Sequence, residues 1–544
     1  MLQRNYFNFL LLPLYWVAIV FLYHKGHTGA LVDDGNAGLV DFALEGWAGI
    51  KHNYGMTSLY YFHDLVNNIW FEIFGLNTKA WFLLTASLHA LNSWLIFINM
   101  KTFYQRCNLK HGGKIALFGS LMFLLSPYQS ENIIWAATHH YGFALLFFML
   151  ILRLVLKLNK ENLIQYSVLI ILLYCVSLTT LEQTLVFPGV FVALFILMKF
   201  FNPSTAMPVK VFIVYVIIPQ AILIILYFVS TKLIKGSWIP HYGSTHIENI
   251  SLANCTATFL QFIVKHLGFI HFFDYGIRDE VYSFIVKKTT LSVAIFIAVN
   301  SILAIFLYIR NRKSAIVFAG LWVCAIVLFL PVLNLYFMYL FQYENDRMGY
   351  FGSIILCQIF PLVFFSLLPL LGYICCIAWL IFALHFSKIA VSCWQNAGHF
   401  YHNCVNTLPQ QSGRLFFLNV PLKYQSIYIF RKAHRIGKVY QLFYNKHNSE
   451  QLKPVAWMLF HSPNDKLEIH QLTNHSIQVI VRANGVSWWM FNEFGALDYE
   501  NDDCIFDVDE YGTGYTLTIK NPKPDDSFWI TTGEGFQQFH FLNQ

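Results

Sequence analysis

Apolar runs of about membrane-spanning length recur along the chain and limit its fold more than any other feature. "FNFLLLPLYWVAIVFLY" near the N-terminus and "LIQYSVLIILLYCVSLTTL" further on are two of them. A helix needs roughly 20 apolar residues to cross a bilayer core, with every backbone polar group satisfied inside the segment. The hydropathy predicts about eleven spans, near residues 7–24, 79–100, 114–127, 141–158, 164–180, 184–200, 210–230, 291–309, 315–333, 351–367 and 369–387. The first is too long for a signal-peptide core and is followed by "HKGHTGALVDD", without a small-residue cleavage site, so it reads as a retained helix.

Charge sets the topology. Over 544 residues, 36 Lys and Arg stand against 29 Asp and Glu, a formal balance of +7 that by itself would suit nucleic acid. The basic residues fall instead into alternate short loops: Lys101, Arg106, Lys110 and Lys114; Arg153, Lys157 and Lys160; Lys199 and Lys210; Arg310, Arg312 and Lys313. That is the positive-inside pattern, so these loops are cytoplasmic and no nucleic-acid partner is expected. The ten cysteines form no CxxC pair, which leaves neither a zinc site nor a disulfide framework to predict.

Threading the spans puts residues 25–78 and 231–290 outside as two long loops, and the tail from about residue 390 outside as well. Two regions follow: 1–388, a polytopic α-helical membrane domain, and 389–544, an extracytoplasmic β-rich domain. The tail alternates in "RLFFLNV", "SIYIFRK", "EIHQL", "IQVIVRA" and "YTLTIKNPKPDDSFWITT", whose Pro-containing middle reads as a turn between strands. Both long loops carry amphipathic stretches, "SLYYFHDLVNNIWFEIFGL" and "TATFLQFIVKHLGFIHFF", suited to the membrane interface. Lys232, Lys235, Lys265, Arg278, Lys287 and Lys288 beside the second suit anionic lipid heads or interface anchoring.

Four outer turns hold groups that can do chemistry. "LVDDGNAGLV" places Asp33 and Asp34 together after the first span, either as a solvated helix end or as a general base with a second acid that positions it. "SPYQSENIIWAATHHYG" brings Glu131, His139 and His140 to one turn, as a polar cap or as candidate metal ligands, although adjacent histidines diverge on a helix. "TTLEQTLVFPG" places Glu182 in a very short outward turn between apolar segments, an expensive place for an acid, where it is either a functional group or an acid snorkelling to the interface. "YENDRMGYFGS" carries Glu344, Asp346, Arg347 and Tyr350; Arg347 suits either a phosphate or an ion pair with one of the two neighbouring acids.

In this order the features resemble the GT-C class of membrane glycosyltransferases. The nearest likeness is to the O-mannosyltransferases that carry tetratricopeptide repeats and to their bacterial relatives, over roughly residues 25–355. "LVDDGNAG" resembles the family's Asp-Asp, "WFEIFGLNTKAWFLLTASLHALNSWLIF" its Phe-Gly-Leu-Asn stretch and following helix, and "SPYQSENIIWAA" its His-Pro-x-x-x-Glu-x-x-x-Trp turn. "LEQTLVFP" is similar to its Lys-Glu turn, and "LPVLNLYF…DRMGYFGS" to its Leu-Pro…Glu-Arg-x-x-Tyr-x-x-Ser segment. Phe82, Ser126 and Leu181 stand where the family has His, His and Lys, "NYGMTSL" replaces an Arg-Pro, and the helical repeats are missing.

The resemblance implies an inverting transferase that moves a sugar from a polyprenyl-phosphate donor to a glycan, lipid or protein hydroxyl on the extracytoplasmic face of the cell or inner membrane. Asp33 would be the base, and Asp34 and Glu131 would line the pocket, with Glu182, His139 and His140 near it and Mg or Mn as candidate ions. Arg347, with Tyr350, would hold the donor phosphate, and the tail would help select the acceptor. The alternatives are a flippase of lipid-linked saccharides and a catalytically inactive membrane scaffold. Acids at helix ends, and not at the midplane, favour surface chemistry over transport.

Overall fold

The computed structural model describes residues 2–32, 39–52, 58–203, 207–238, 250–335, 346–430, 436–444, 451–460, 462, 464–482, 489–490, 497–509 and 513–540. Asp33, Asp34 and Glu344 lie outside the described residues. The chain is mostly helical with a β-rich C-terminal region, and it divides into two compact units. One comprises Met1–His24, Ile50–Val66 and Phe82–Ala390; the other comprises Lys25–Gly49, Asn67–Trp81 and Val391–Gln544.

Nine helices among the described residues are long and apolar enough to cross a membrane. They are Asn8–Gly29, Thr78–Arg106, Ala136–Lys157, Glu182–Phe201, Val209–Lys235, Thr289–Arg310, Arg312–Val332, Asp346–Leu367 and Pro369–Asn406. Two shorter apolar helices, Gly112–Leu125 and Leu163–Leu178, occupy the two other expected positions.

Buried amides fix the direction of neighbouring helices. The Asn92 side chain donates to the Gly142 carbonyl (2.8 Å) and Asn99 donates to that of Met149 (2.7 Å). Each step is about two helical turns, taken the same way in both helices, so Thr78–Arg106 and His139–Lys157 run parallel. The chain between them has to come back, and Gly112–Leu125 is the helix that returns it. That helix packs closely on Tyr350–Leu367: a Cβ on Gly119 would clash with the Gln358 side-chain amide. Small residues and side-chain amides are what hold helices together in lipid, where apolar burial offers little.

The last apolar helix differs from its expected end at 387 and continues to Asn406. Residues 388–406 lose hydropathy but contain neither Pro nor a turn signal before Pro409, so the backbone has no reason to stop. In the second unit this extension carries Phe400, whose ring stacks on Tyr424 (4.6 Å between centroids), and Gly398, where a Cβ would strike the Thr28 backbone.

Among the described residues the β-rich region builds three sheets. Ser527–Thr532 pairs with Gly535–Phe539 and, in parallel, with Leu415–Phe417, which pairs onward with Leu452–Pro454. An antiparallel sheet orders Lys466–Gln471, Ser476–Arg482, Gly514–Ile519, Cys504–Val508 and Tyr499–Glu500. The third contains Ile427–Tyr428, Val420–Tyr424, Trp457–Phe460 and Trp489–Met490. Phe416, Val479, Phe506, Leu517 and Phe528 share one buried core from the first two sheets.

The Pro-containing link after Ile519 joins strands of different sheets and closes no hairpin. Arg414 holds it in place by donating to Asp526 (2.9 Å), to the Asn521 carbonyl (2.8 Å) and to Asp503 (3.2 Å).

Candidate functional site

The polar turns that carry Glu131 and Glu182 each lie between the end of one apolar helix and the start of the next. Gly112–Leu125 stops at Ser126-Pro127, and a short 3-10 turn then leads into Ser130–Ile134 and a second one at Ala136–Thr138. The turn is pinned by Thr138, whose hydroxyl donates to the Glu131 carbonyl (3.0 Å), and by Gln129, which donates to Ser353 (3.0 Å). Glu131 is thereby buried, and an ionised carboxylate in that position requires a cation.

Arg347 supplies it. One carboxylate oxygen of Glu131 accepts the Arg347 backbone N–H at 2.7 Å, and the other is ion-paired with the guanidinium. The guanidinium carbon lies 5.6 Å from the Trp135 ring centroid, over its face. Among the described residues, the carboxylate ion-paired with Arg347 is Glu131 and not the adjacent Asp346. Asp346 pairs instead with Lys265, both side chains being fully buried. Lys265 also lies 5.5 Å from the Tyr128 ring centroid, so its charge serves this interior pair and not a lipid head. Tyr350 is buried, and its hydroxyl makes a hydrogen bond with His89 Nδ1 at 3.0 Å.

A second group collects around the amphipathic helix Tyr61–Phe74. Its apolar side is exposed at one-turn spacing through Leu65, Ile69 and Ile73, while His63 and Asp64 are buried. His139 and His140, which diverge on their own helix, both meet His63: each pair of ring centroids is 4.6 Å apart. His139 Nδ1 is 2.8 Å from the Ala136 carbonyl, which can only accept, so that nitrogen carries the proton. In the neutral ring His139 Nε2 is then an acceptor, and His63 Nδ1, 3.2 Å away, donates to it. Glu182 accepts from the hydroxyls of Ser58 and Tyr60, which ties the first long loop to the turn that follows Leu163–Leu178.

The two groups adjoin. Met348, next to Arg347, places its sulfur 3.5 Å from the Tyr141 hydroxyl and 3.7 Å from the Gln183 amide nitrogen. Among the described residues no group of three or more His, Cys, Asp or Glu has a metal-holding arrangement.

No family model, curated protein or solved structure matches the chain.

His63, Asp64 and Lys265 were not singled out by the sequence patterns as site residues. The signal for each was a polar residue beside the apolar stripe of an amphipathic helix, which reads equally well as a solvated face. Burial pushes the Asp64 carboxyl up to about 8, against the opposing pull of Lys235. Burial, then the charges of His139 and His140, holds His63 well below the usual imidazole range.

For Asp64 the folded state keeps a proton that the unfolded chain releases near pH 4, so this group lowers stability progressively as pH rises from about 4 to about 8. Asp64→Asn should flatten that slope, raising the melting temperature at pH 8 relative to the parent with little change at pH 4. Thermal unfolding in detergent across this range checks it, and equal shifts at both ends would refute it.

Proposed function

We propose that the chain is an inverting GT-C-type glycosyltransferase acting on the extracytoplasmic face of a membrane. Its donor is a polyprenyl-phosphate-linked sugar and its acceptor a hydroxyl of a glycan, lipid or protein. The observation that carries this reading is the Glu131–Arg347 pair, which joins two of the five resembling segments across 216 positions of sequence. The Glu182 turn adjoins it through Gln183 and Met348.

The acceptor O–H gives its proton to Asp33, and the acceptor oxygen bonds to the anomeric carbon from the face opposite the phosphate. The bond from that carbon to the phosphate oxygen breaks, and its electron pair leaves on the phosphate. Polyprenyl phosphate and the inverted glycoside are the products. Arg347, oriented by Glu131, stabilises the charge that grows on the leaving phosphate, where a fixed donor contributes most. The β-rich region would hold the acceptor.

Asp33→Asn tests the base. General-base catalysis contributes about 10²–10⁴-fold, and a loss of that size in sugar transfer from a radiolabelled polyprenyl-phosphate donor in membranes is the expected result. Transfer equal to the parent would remove Asp33 from the mechanism. Movement of labelled lipid across vesicles without transfer would replace the whole reading with that of a flippase.

A further inference from the structure

A groove of about 490 Å³ lies among the helices Leu252–Gly268, Tyr275–Lys287 and Thr289–Arg310. Leu260, Ile263, Phe284, Ile295 and Phe296 make its walls almost wholly apolar. The side formed by Thr289–Arg310 is open, with Ile295 and Val299 about half exposed. Of the helices able to span a membrane, this is the least enclosed by protein, with 11% of its apolar window buried. A face of that kind is solvated by hydrocarbon, so the solute that enters the groove is a lipid chain, whereas water would find almost no partners there.

Two polar groups specify the rest of the ligand. Ser292, buried on the wall, has a hydroxyl with no hydrogen-bond partner among the described residues, which is costly at membrane depth. An ester carbonyl at the top of a lipid chain would accept from it. Glu280 lines the groove and is exposed, and its helix ends at the exposed pair Lys287 and Lys288, immediately before the span. A carboxylate on the wall of the groove matches a head that carries an ammonium group. A singly anionic head would leave Glu280 unanswered and repelled.

We infer that this groove binds one acyl chain of a phosphatidylethanolamine-type lipid, with Glu280 receiving its ammonium group. Neither Glu131 nor Arg347 lines the groove, and the inference does not depend on the glycosyl-transfer reading.

The full-length protein, purified in detergent and stripped of lipid, is mixed in turn with phosphatidylethanolamine, phosphatidylglycerol and polyprenyl phosphate, and retention is read by native mass spectrometry. Phosphatidylethanolamine should be retained about ten-fold better than phosphatidylglycerol, a difference of about 1.4 kcal/mol. Ser292→Phe, which fills the groove, should abolish that retention, and Glu280→Gln should bring the two phospholipids close to parity. Val299→Trp, at the exposed rim, serves if Ser292→Phe does not fold. Retention of phosphatidylethanolamine unchanged by the filling variants would overturn the inference. So would retention of polyprenyl phosphate alone, or of no lipid.

Discussion

Arg347→Ala should reduce sugar transfer by about 10²–10³-fold, the usual cost of removing one preorganised donor from a developing anion. Arg347→Lys should lose nearly as much, because an ammonium is a point charge and cannot reproduce the planar fork that Glu131 orients over Trp135. Glu131→Gln tests orientation separately. Its amide oxygen can still accept the Arg347 backbone N–H, so the turn should persist while the ion pair is lost. A fall of about ten-fold in kcat with a smaller change in KM is expected, since an interaction realised at the departing phosphate acts on the transition state. Radiolabel transfer in membranes, normalised to protein present, measures all three. An Arg347→Ala variant within about two-fold of the parent would show that this guanidinium is only structural.

What the sequence revealed and what it hid have different physical origins. Segments such as Val209–Lys235 and Arg312–Val332 announce themselves because span length is imposed by the bilayer and needs no knowledge of a partner. Glu131 and Arg347 each stood out as a polar group in a turn between apolar helices, yet their pairing is a long-range contact that no local pattern encodes. Asp346 sits next to Arg347 and was, with Glu344, one of its two local candidate partners. The fold sends it to Lys265, because the amphipathic helix Leu252–Gly268 turns that lysine inward. His63 was hidden for a related reason: periodicity identified both sides of helix Tyr61–Phe74 but not which one the protein covers. In a membrane protein the apolar side can be the exposed one, so the usual inference from hydrophobic face to core reverses.

Lys265→Met should destabilise the protein by about 3–5 kcal/mol, because it leaves the Asp346 carboxylate buried without its counter-charge. Asp346→Leu alone should cost a similar amount by stranding the ammonium of Lys265. Their combination should recover most of the loss, since a buried ion pair replaced by apolar side chains of comparable volume is often neutral. Unfolding of the four proteins in one detergent gives the coupling energy of the cycle directly. If Lys265 served mainly as a lipid anchor, Lys265→Met would be close to neutral and the two changes would simply add, and this outcome would sink the assignment. Asp346 is also the immediate neighbour of Arg347, so releasing it disturbs the backbone N–H that Glu131 accepts at 2.7 Å. On the proposed function, sugar transfer should therefore fall in both single variants and return in part in the double, the result expected if the pair supports Arg347 as well as the fold.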